Sequence, residues 1–287
     1  MNIIFNENCL ITMQRPEVKG NVDVIITSPP YNTSRVGASD KYNSRYDTFQ
    51  DFKSDQDYID WTIDIFNGYD NVLKKDGCVL YNISYSSENT HLIWLVIADI
   101  IRRTNFITAD CIIWKKSNAL PNNRSKNKLT RIVEYVFVFV RKAELKTFIT
   151  NKKITSVIEK TGQANYENIY NFFEAKNNDG SNELNKAVFS TDFVKKLINI
   201  YVKPNSLVYD SFMGIGTTAK ACIETNNRYV GSELSEAQII YFNKWKEKLT
   251  NNNAQCITTP IKTYLMNNDT QGNTYSSYPN KGYEPFF

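Results

Sequence analysis

The run Ile132-Val133-Glu134-Tyr135-Val136-Phe137-Val138-Phe139-Val140 is apolar toward both sides of a strand, with Glu134 as the one exception. Side chains alternate between the faces of a strand, so a strand apolar on both must be covered on both, and that calls for a sheet with helices above and below it. The rest of the chain supplies those parts. Short β-branched runs at Met1 to Phe5, Val22 to Ile26, Cys78 to Ile83, Phe106 to Trp114, Ser206 to Asp210 and Arg228 to Ser232 alternate with helical periods. Ser54, with Asp57 three residues on, marks a helix start. Ile59, Ile63, Phe66, Tyr69 and Leu73 form its buried face, and Lys74-Lys75-Asp76-Gly77 its end, with a C-cap glycine. Glu88 to Arg103 reads as a mostly buried helix. Ser190 caps another through Phe193, Val194, Leu197, Ile198 and Tyr201, and a last one runs from about Ser235 to Leu249. Strands alternating with helices predict a three-layer α/β core, and 287 residues fit one large domain better than two.

Composition narrows the chemistry. The single histidine, His91, lies beside Leu92, Ile93 and Trp94, which excludes a multi-histidine metal site and argues against histidine catalysis. The five cysteines, Cys9, Cys78, Cys111, Cys222 and Cys256, never form a CxxC pair, so neither a disulfide framework nor a zinc site is expected, and no metal is assigned. No apolar run approaches the roughly 18 residues that cross a bilayer, and nothing reads as a signal peptide, so no membrane partner and a cytoplasmic location are expected. The net charge of +4 is mild, so its distribution matters more than its size. Residues 115–131 carry Lys115, Lys116, Arg124, Lys126, Lys128 and Arg131 with no acidic residue, interleaved with asparagines of the kind that contact phosphates and base edges. A solvated turn is the plainer reading of such a loop; phosphate binding is the sharper one.

Two constellations stand at strand ends. The first is Thr27-Ser28-Pro29-Pro30-Tyr31-Asn32, after the strand Val22 to Ile26. Consecutive prolines remove two backbone donors and fix two φ angles, leaving a rigid extended cup with a hydroxyl, carbonyl acceptors and a flat ring. An acceptor pair beside an aromatic face suits a planar group bearing an NH2, such as a nucleobase. The following segment, residues 33–55, shows no helical period and is long enough to close over the cup. The second constellation is the strand Ser206 to Asp210, the loop Ser211-Phe212-Met213-Gly214-Ile215-Gly216, a helix from Thr217, and a strand ending at Glu233, 19 residues beyond Gly214. Strand, glycine loop, helix, strand and carboxylate together point to a nucleoside-containing cofactor whose ribose Glu233 would hold. Gly214-x-Gly216-x-x-Ala219 also fits the dinucleotide fingerprint, so an NAD-dependent oxidoreductase is the rival; it leaves the proline cup unexplained.

Together the two constellations resemble the DNA amino-methyltransferases of bacterial and phage restriction and modification, in the permuted order called the beta class. Ser28-Pro29-Pro30-Tyr31 corresponds to the family's Asp/Asn/Ser-Pro-Pro-Tyr motif and Phe212-Met213-Gly214-Ile215-Gly216-Thr217-Thr218 to its cofactor loop. Ile112-Ile113-Trp114-Lys115-Lys116 and Glu134-Tyr135-Val136-Phe137 look like its central strands. The resemblance covers residues 1–247 and implies a Rossmann-like fold with a seven-stranded, mostly parallel sheet and a small target-recognition insertion. It divides residues 1–249 into a catalytic half (about 1–141), an insertion (about 142–185) and a cofactor-binding half (about 186–249), followed by a tail, 250–287. It implies S-adenosyl-L-methionine as cofactor, held by Asn8, Cys9, Asp210, Phe212, Gly214, Gly216, Thr217 and Glu233. The substrate is then double-stranded DNA held by the basic segment, a flipped base is stacked on Tyr31, and a monomer or homodimer, with a cognate restriction endonuclease, completes the system. Ser28, where adenine-N6 enzymes usually have Asp, favours cytosine N4, with adenine N6 as the alternative. The chain departs from the pattern at Asn8, usually Asp; at Ser211, usually Pro, where lost loop stiffness is the expected cost; and at Val133, usually His.

Overall fold

In the computed structural model, which describes residues 1–32, 53–85, 89–119, 126–177, 190–252 and 263–264, the alternation of side chains along each strand sorts the core into two layers. The strands are β1 (Asn2–Phe5), β2 (Val22–Thr27), β3 (Leu73–Ile83), β4 (Phe106–Lys116), β5 (Val133–Arg141), β6 (Ile154–Val157), β7 (Ala164–Tyr166), β8 (Phe172–Ala175), β9 (Leu207–Asp210), β10 (Arg228–Ser232) and β11 (Thr263–Tyr264). The helices are α1 (Cys9–Thr12), α2 (Asp55–Val72), α3 (Leu92–Arg103), α4 (Thr191–Tyr201), α5 (Thr217–Glu224) and α6 (Glu236–Asn252). From β5, Phe137 and Phe139 enter the layer under α2 and α3, while Val136, Val138 and Val140 enter the layer under α4, α5 and α6. From β3, Val79 and Tyr81 go one way, Cys78 and Leu80 the other. The run that is apolar on both sides is therefore covered on both sides.

The sheet has nine strands in the order β11-β1-β10-β9-β2-β3-β5-β4-β8. The seven strands expected from the sequence are all present and contiguous, and β8 and β11 extend the two edges. All neighbours are parallel except β5, which runs antiparallel to both β3 and β4. Within residues 142–185, β6 and β7 pair as a separate antiparallel sheet, whereas β8 joins the main sheet with Phe173 beside Trp114. Four aromatic residues close in sequence are thus divided, Tyr166 in the small sheet, Phe172 and Phe173 in the main one and Tyr170 in the segment between them.

Ser54 caps α2 as expected, accepting from the Asp57 amide at 3.1 Å. The helix ends earlier than the glycine signal implies. Leu73 is already extended and 96% buried, and the residues from Lys74 to Gly77 form an irregularity in β3 where the register jumps from Val22↔Leu73 to Val24↔Cys78. Gly77 serves close approach instead of capping, since a Cβ there would lie 2.9 Å from the Asp23 carbonyl oxygen. The next helix begins at Leu92 and not at Glu88, because the Asn89 side chain accepts the Leu92 amide at 3.1 Å and so fixes the start; Glu88 lies outside the described residues.

Phe66 organises the α2 layer. Its ring, fully buried, lies with centroids 5.2 Å from Tyr69, 5.2 Å from Tyr81, 5.5 Å from Phe106 and 5.0 Å from Phe139, every pair edge-to-face. Removing it leaves a cavity that four rings from one helix and three strands cannot jointly fill. Phe66→Ala is expected to lower the unfolding free energy by about 3–5 kcal/mol in urea titration followed by circular dichroism. A loss under about 1 kcal/mol would contradict this account of the layer.

Candidate active site

The parallel strands all deliver their last residues to one edge of the sheet. Asn6 follows β1, Ser28 follows β2, Ser84 follows β3 and Glu233 follows β10, while Lys116 and Asp210 end β4 and β9. Because β5 runs the other way, its first residues reach the same edge, and Glu134 stands opposite Trp114. Strands β2 and β9 are neighbours, yet β2 connects onward through α2 on one face and β9 through α5 on the other. That junction is the switch point where ligands of open α/β sheets bind.

Hydrogen bonds stitch the junction together. Thr27 Oγ1 donates to Asp210 Oδ1 at 2.8 Å and lies 3.1 Å from Ser211 Oγ, which in turn lies 2.5 Å from Tyr69 Oη. Ser211 is therefore more than a softened proline position, because its hydroxyl joins α2 to both strands.

The cup is held from behind. Pro29 and Pro30 are buried, and Tyr58 Oη donates to the Pro30 carbonyl at 2.7 Å. Asn32, at φ 54°, closes the turn and binds the Lys53 backbone in both directions, at 2.9 and 2.6 Å, which straps the cup to the start of α2. In front, Ser28 Oγ lies 2.8 Å from Tyr31 Oη, and Tyr31 Oη donates to Glu134 Oε2 at 3.1 Å. Asn82 Nδ2 lies 2.6 Å from Tyr31 Oη, 3.2 Å from Ser28 Oγ and 3.0 Å from Glu134 Oε2. Lys116 Nζ forms an ion pair with Glu134 Oε1. Asn82 and Glu134 were not among the expected site residues. Their signal was present: each is a polar side chain in a strand that otherwise faces apolar layers.

The glycine loop stands on the other side of the junction. Gly214 and Gly216 adopt φ of 55° and 83°, and Gly216 is the N-cap of α5. A Cβ on Gly216 would fall 2.3 Å from the Phe242 ring, so this glycine serves packing against α6 as well as backbone conformation. Glu233 fixes the loop, with Oε2 accepting the Gly214 amide at 2.7 Å and Oε1 the Ser235 amide at 2.8 Å. Asn6, from the polar loop that follows β1, donates to the Glu233 carbonyl at 2.9 Å and the Leu234 carbonyl at 3.0 Å. Phe212 packs 5.5 Å from Trp61, its amide bound to Asp210 Oδ1 at 3.1 Å, and Thr217 is buried in the first turn of α5. Asp210 is 98% buried, and its Oδ2 has no hydrogen bond of acceptable geometry. Burial pushes its pKa up to about 6, although hydrogen bonds from Thr218, Thr27 and the Phe212 amide offset part of the rise.

Other expected residues are placed differently. Asn8 is exposed and caps α1 by accepting the Leu10 amide at 2.9 Å. The Cys9 thiol lies in the core, where burial raises its pKa to about 12. Lys115 pairs with Glu174 at 3.1 Å and Lys116 with Glu134, so two of the six expected phosphate-binding cations already have carboxylate partners. Lys126, Lys128 and Arg131 are exposed, with the Arg131 guanidinium 5.2 Å over the Tyr85 ring. Arg124, most of the segment expected to close over the cup, and almost all of the tail lie outside the described residues. Among the described residues no group of three or more His, Cys, Asp or Glu side chains is placed to hold a metal ion, and no helix is long and apolar enough to cross a membrane.

Comparison with known proteins gives this geometry a context. A family model described as DNA methylase matches residues 22–244. Type II methyltransferase M.BglII of Bacillus subtilis is 23% identical over 263 residues, covering 83% of this chain and 67% of that protein. Among solved structures, the cytosine-N4-specific PvuII DNA methyltransferase superposes with a TM-score of 0.62 at 18% identity, over 86% of this chain and 89% of that one. The M1.HpyAVI–SAM complex superposes with a TM-score of 0.55 at 21% identity, over 85% of this chain and all of that one. Both share the Rossmann-like methyltransferase fold.

Asp210 gives the junction a pH signature. A carboxyl whose pKa rises from 3.8 to about 6 on folding is best accommodated when protonated. Its contribution is therefore most favourable below pH 4 and is lost as pH rises through 6, a swing of about 3 kcal/mol. Asp210→Asn removes this titration. Relative to wild type, the variant is expected to gain unfolding free energy between pH 4 and 7, measured by urea titration at each pH. Parallel pH profiles for the two proteins would show that Asp210 is not raised.

Proposed function

The chain belongs to the DNA methylase family that acts on amino groups at cytosine N4 or adenine N6, and from that premise we propose an S-adenosyl-L-methionine-dependent enzyme that methylates the exocyclic amine of a base flipped from duplex DNA, with cytosine N4 as the preferred target. The observation that carries this reading is the hydrogen-bonded junction from Thr27 to Asp210 and Ser211, which sets the proline cup and the glycine loop side by side. An oxidoreductase would have no use for the cup.

The residues present fit the cofactor. Glu233 stands at the end of β10 with its carboxylate held in place by the Gly214 and Ser235 amides, and a carboxylate so held is a suitable acceptor for ribose hydroxyls. Asp210, fixed through Oδ1 by Thr27 and the Phe212 amide, shapes the methionyl side of the site together with Phe212, Gly214, Gly216 and Thr217. Asn8 would contribute at the adenine end by leaving its cap, and Cys9 through its backbone. When bound, the cofactor supplies an electrophilic methyl group on a sulfonium.

The cup does the rest. Flipping costs a few kcal/mol, and the amine so exposed is a poor nucleophile because its lone pair is delocalised into the ring. Hydrogen bonds from its N–H groups to Ser28 Oγ and the Pro29 carbonyl would hold the nitrogen toward a pyramidal geometry, with the base stacked on Tyr31. Tyr31 is suited to that role because its hydroxyl is tethered at 2.8 Å to Ser28 and at 3.1 Å to Glu134, which fixes the ring plane. Positioning and electrostatics supply the acceleration. A hydroxyl in place of Asp avoids a buried negative charge against the amine, which supports cytosine.

Lys126, Lys128, Arg131 and Arg124 are the cations we assign to DNA phosphate, with Lys115 contributing by exchanging Glu174 for phosphate, while Lys116 stays paired with Glu134. Within the insertion, the β6–β7 hairpin, set apart from the main sheet, is the part we assign to target recognition. The division into catalytic half, insertion, cofactor half and tail, and assembly as a monomer or homodimer beside a cognate nuclease, complete the reading.

Incubating the purified protein with duplex DNA and S-adenosyl-L-methionine, then digesting to nucleosides for mass spectrometry, is expected to yield N4-methylcytosine. N6-methyladenine alone would overturn the cytosine assignment, and the absence of any methylated amine would overturn the reading.

A further inference from the structure

A serine hydroxyl can serve the amine as an acceptor only if its own proton points elsewhere, and the network in front of the cup fixes where it points. Ionised Glu134 cannot donate. The Tyr31 hydroxyl, 3.1 Å from Oε2, must therefore give its proton to the carboxylate. Tyr31 Oη is then left to accept, which directs the Ser28 proton toward it across 2.8 Å and leaves Ser28 Oγ an acceptor, with one lone pair toward Asn82 Nδ2 at 3.2 Å and the other for the amine. The Asn82 amide turns its NH2 into the same cluster, 3.0 Å from Glu134 Oε2 and 2.6 Å from Tyr31 Oη, even though its Oδ1 is thereby buried without a partner. Lys116 clamps the second Glu134 oxygen and so holds the carboxylate in place.

We infer that Glu134 is the positioning residue and proton terminus of a hydroxyl relay that runs Ser28 → Tyr31 → Glu134, a role that rests on the methyltransferase reading. As the N–C bond forms and the S–C bond breaks, the positive charge passes from sulfur to the amine nitrogen. That nitrogen then releases the proton it directs at Ser28 Oγ. Ser28 passes its hydroxyl proton to Tyr31 Oη, and Tyr31 passes its own to Glu134 Oε2. One proton has moved from amine to carboxylate, both hydroxyls are restored, and no net charge remains on the base. A methylated aromatic amine in its cationic form is a strong acid, so a carboxylate can receive its proton.

Three variants, Glu134→Gln, Glu134→Asp and Tyr31→Phe, test the relay. Glu134→Gln preserves shape but puts a donor or a neutral acceptor where the carboxylate stood. Single-turnover methyl transfer is expected to fall about 100-fold, with affinities for DNA and S-adenosyl-L-methionine within about threefold of wild type, and Glu134→Asp is expected to recover part of the rate. A second measurement needs neither cofactor nor DNA. In protein labelled with 13Cζ-tyrosine, the Tyr31 resonance, assigned by its loss in Tyr31→Phe, is expected to shift in Glu134→Gln because the hydroxyl no longer donates to a carboxylate. A transfer rate within threefold of wild type, or an unmoved Tyr31 resonance, would overturn the relay. So would a loss confined to DNA or cofactor affinity. Should Glu134→Gln fail to fold, Tyr31→Phe carries the test, since it deletes one oxygen of the chain and is expected to slow transfer to the same extent. Wild-type protein that methylates no base would instead sink the methyltransferase reading, which the variants leave untouched.

Discussion

The contact between Thr27 Oγ1 and the buried Asp210 carboxyl, 183 residues apart in sequence, is the constraint on which the rest of the site depends. It lies where two parallel strands adjoin while their connections diverge to opposite faces, so the chain necessarily opens a crevice there. Without a hydrogen bond across that crevice the burial of Asp210 would cost more, and the loops beyond the paired strands would lose a direct link. Ser211 and Tyr69 extend the contact into α2, so a helix packed under one face of the sheet reports on the loop that caps the other.

Three carboxylates at this edge meet three environments, and their register alone assigns them. Glu233 sits after β10 with two backbone amides, which satisfy it and hold it in place. Asp210 ends β9 inside the core and is pushed up by desolvation. Glu134 begins β5, the one strand that runs against its neighbours, and it reaches the carboxyl edge because of that reversal; a parallel β5 would send it to the far side. The antiparallel strand is thus what brings an acceptor to the front of the cup.

Much of this was legible from residues alone. The twofold apolar character of residues 132–140 implied a covered sheet, the proline pair and the glycine loop located the two ligand edges, and Ser54 and Ser190 marked helix starts that the structure retains. What escaped was long-range. Lys115 and Lys116 read as a one-sign patch because their partners, Glu174 and Glu134, stand 59 and 18 residues away. Gly77 looked like a helix cap because a glycine that makes room for the Asp23 carbonyl reads the same as one that takes a left-handed φ; here the left-handed residue is Asp76. Ser211 looked like a lost proline because a hydroxyl bridge between Tyr69 and Thr27 has no sequence signature at all. Asn82 and Glu134 did leave one, as polar interruptions of apolar strands, and such interruptions deserve the same scrutiny as motifs.

The central claim is that the strand carrying the cup also holds the cofactor loop in shape, and Thr27→Val tests it directly. Valine keeps the branched shape and strand preference of threonine while deleting the hydroxyl that binds Asp210. Calorimetry with S-adenosyl-L-methionine should show affinity falling about tenfold, the equivalent of one hydrogen bond to a charged group, in a protein that remains folded. Unchanged affinity in the folded variant would mean that the glycine loop keeps its shape without the junction, and the account would be contradicted.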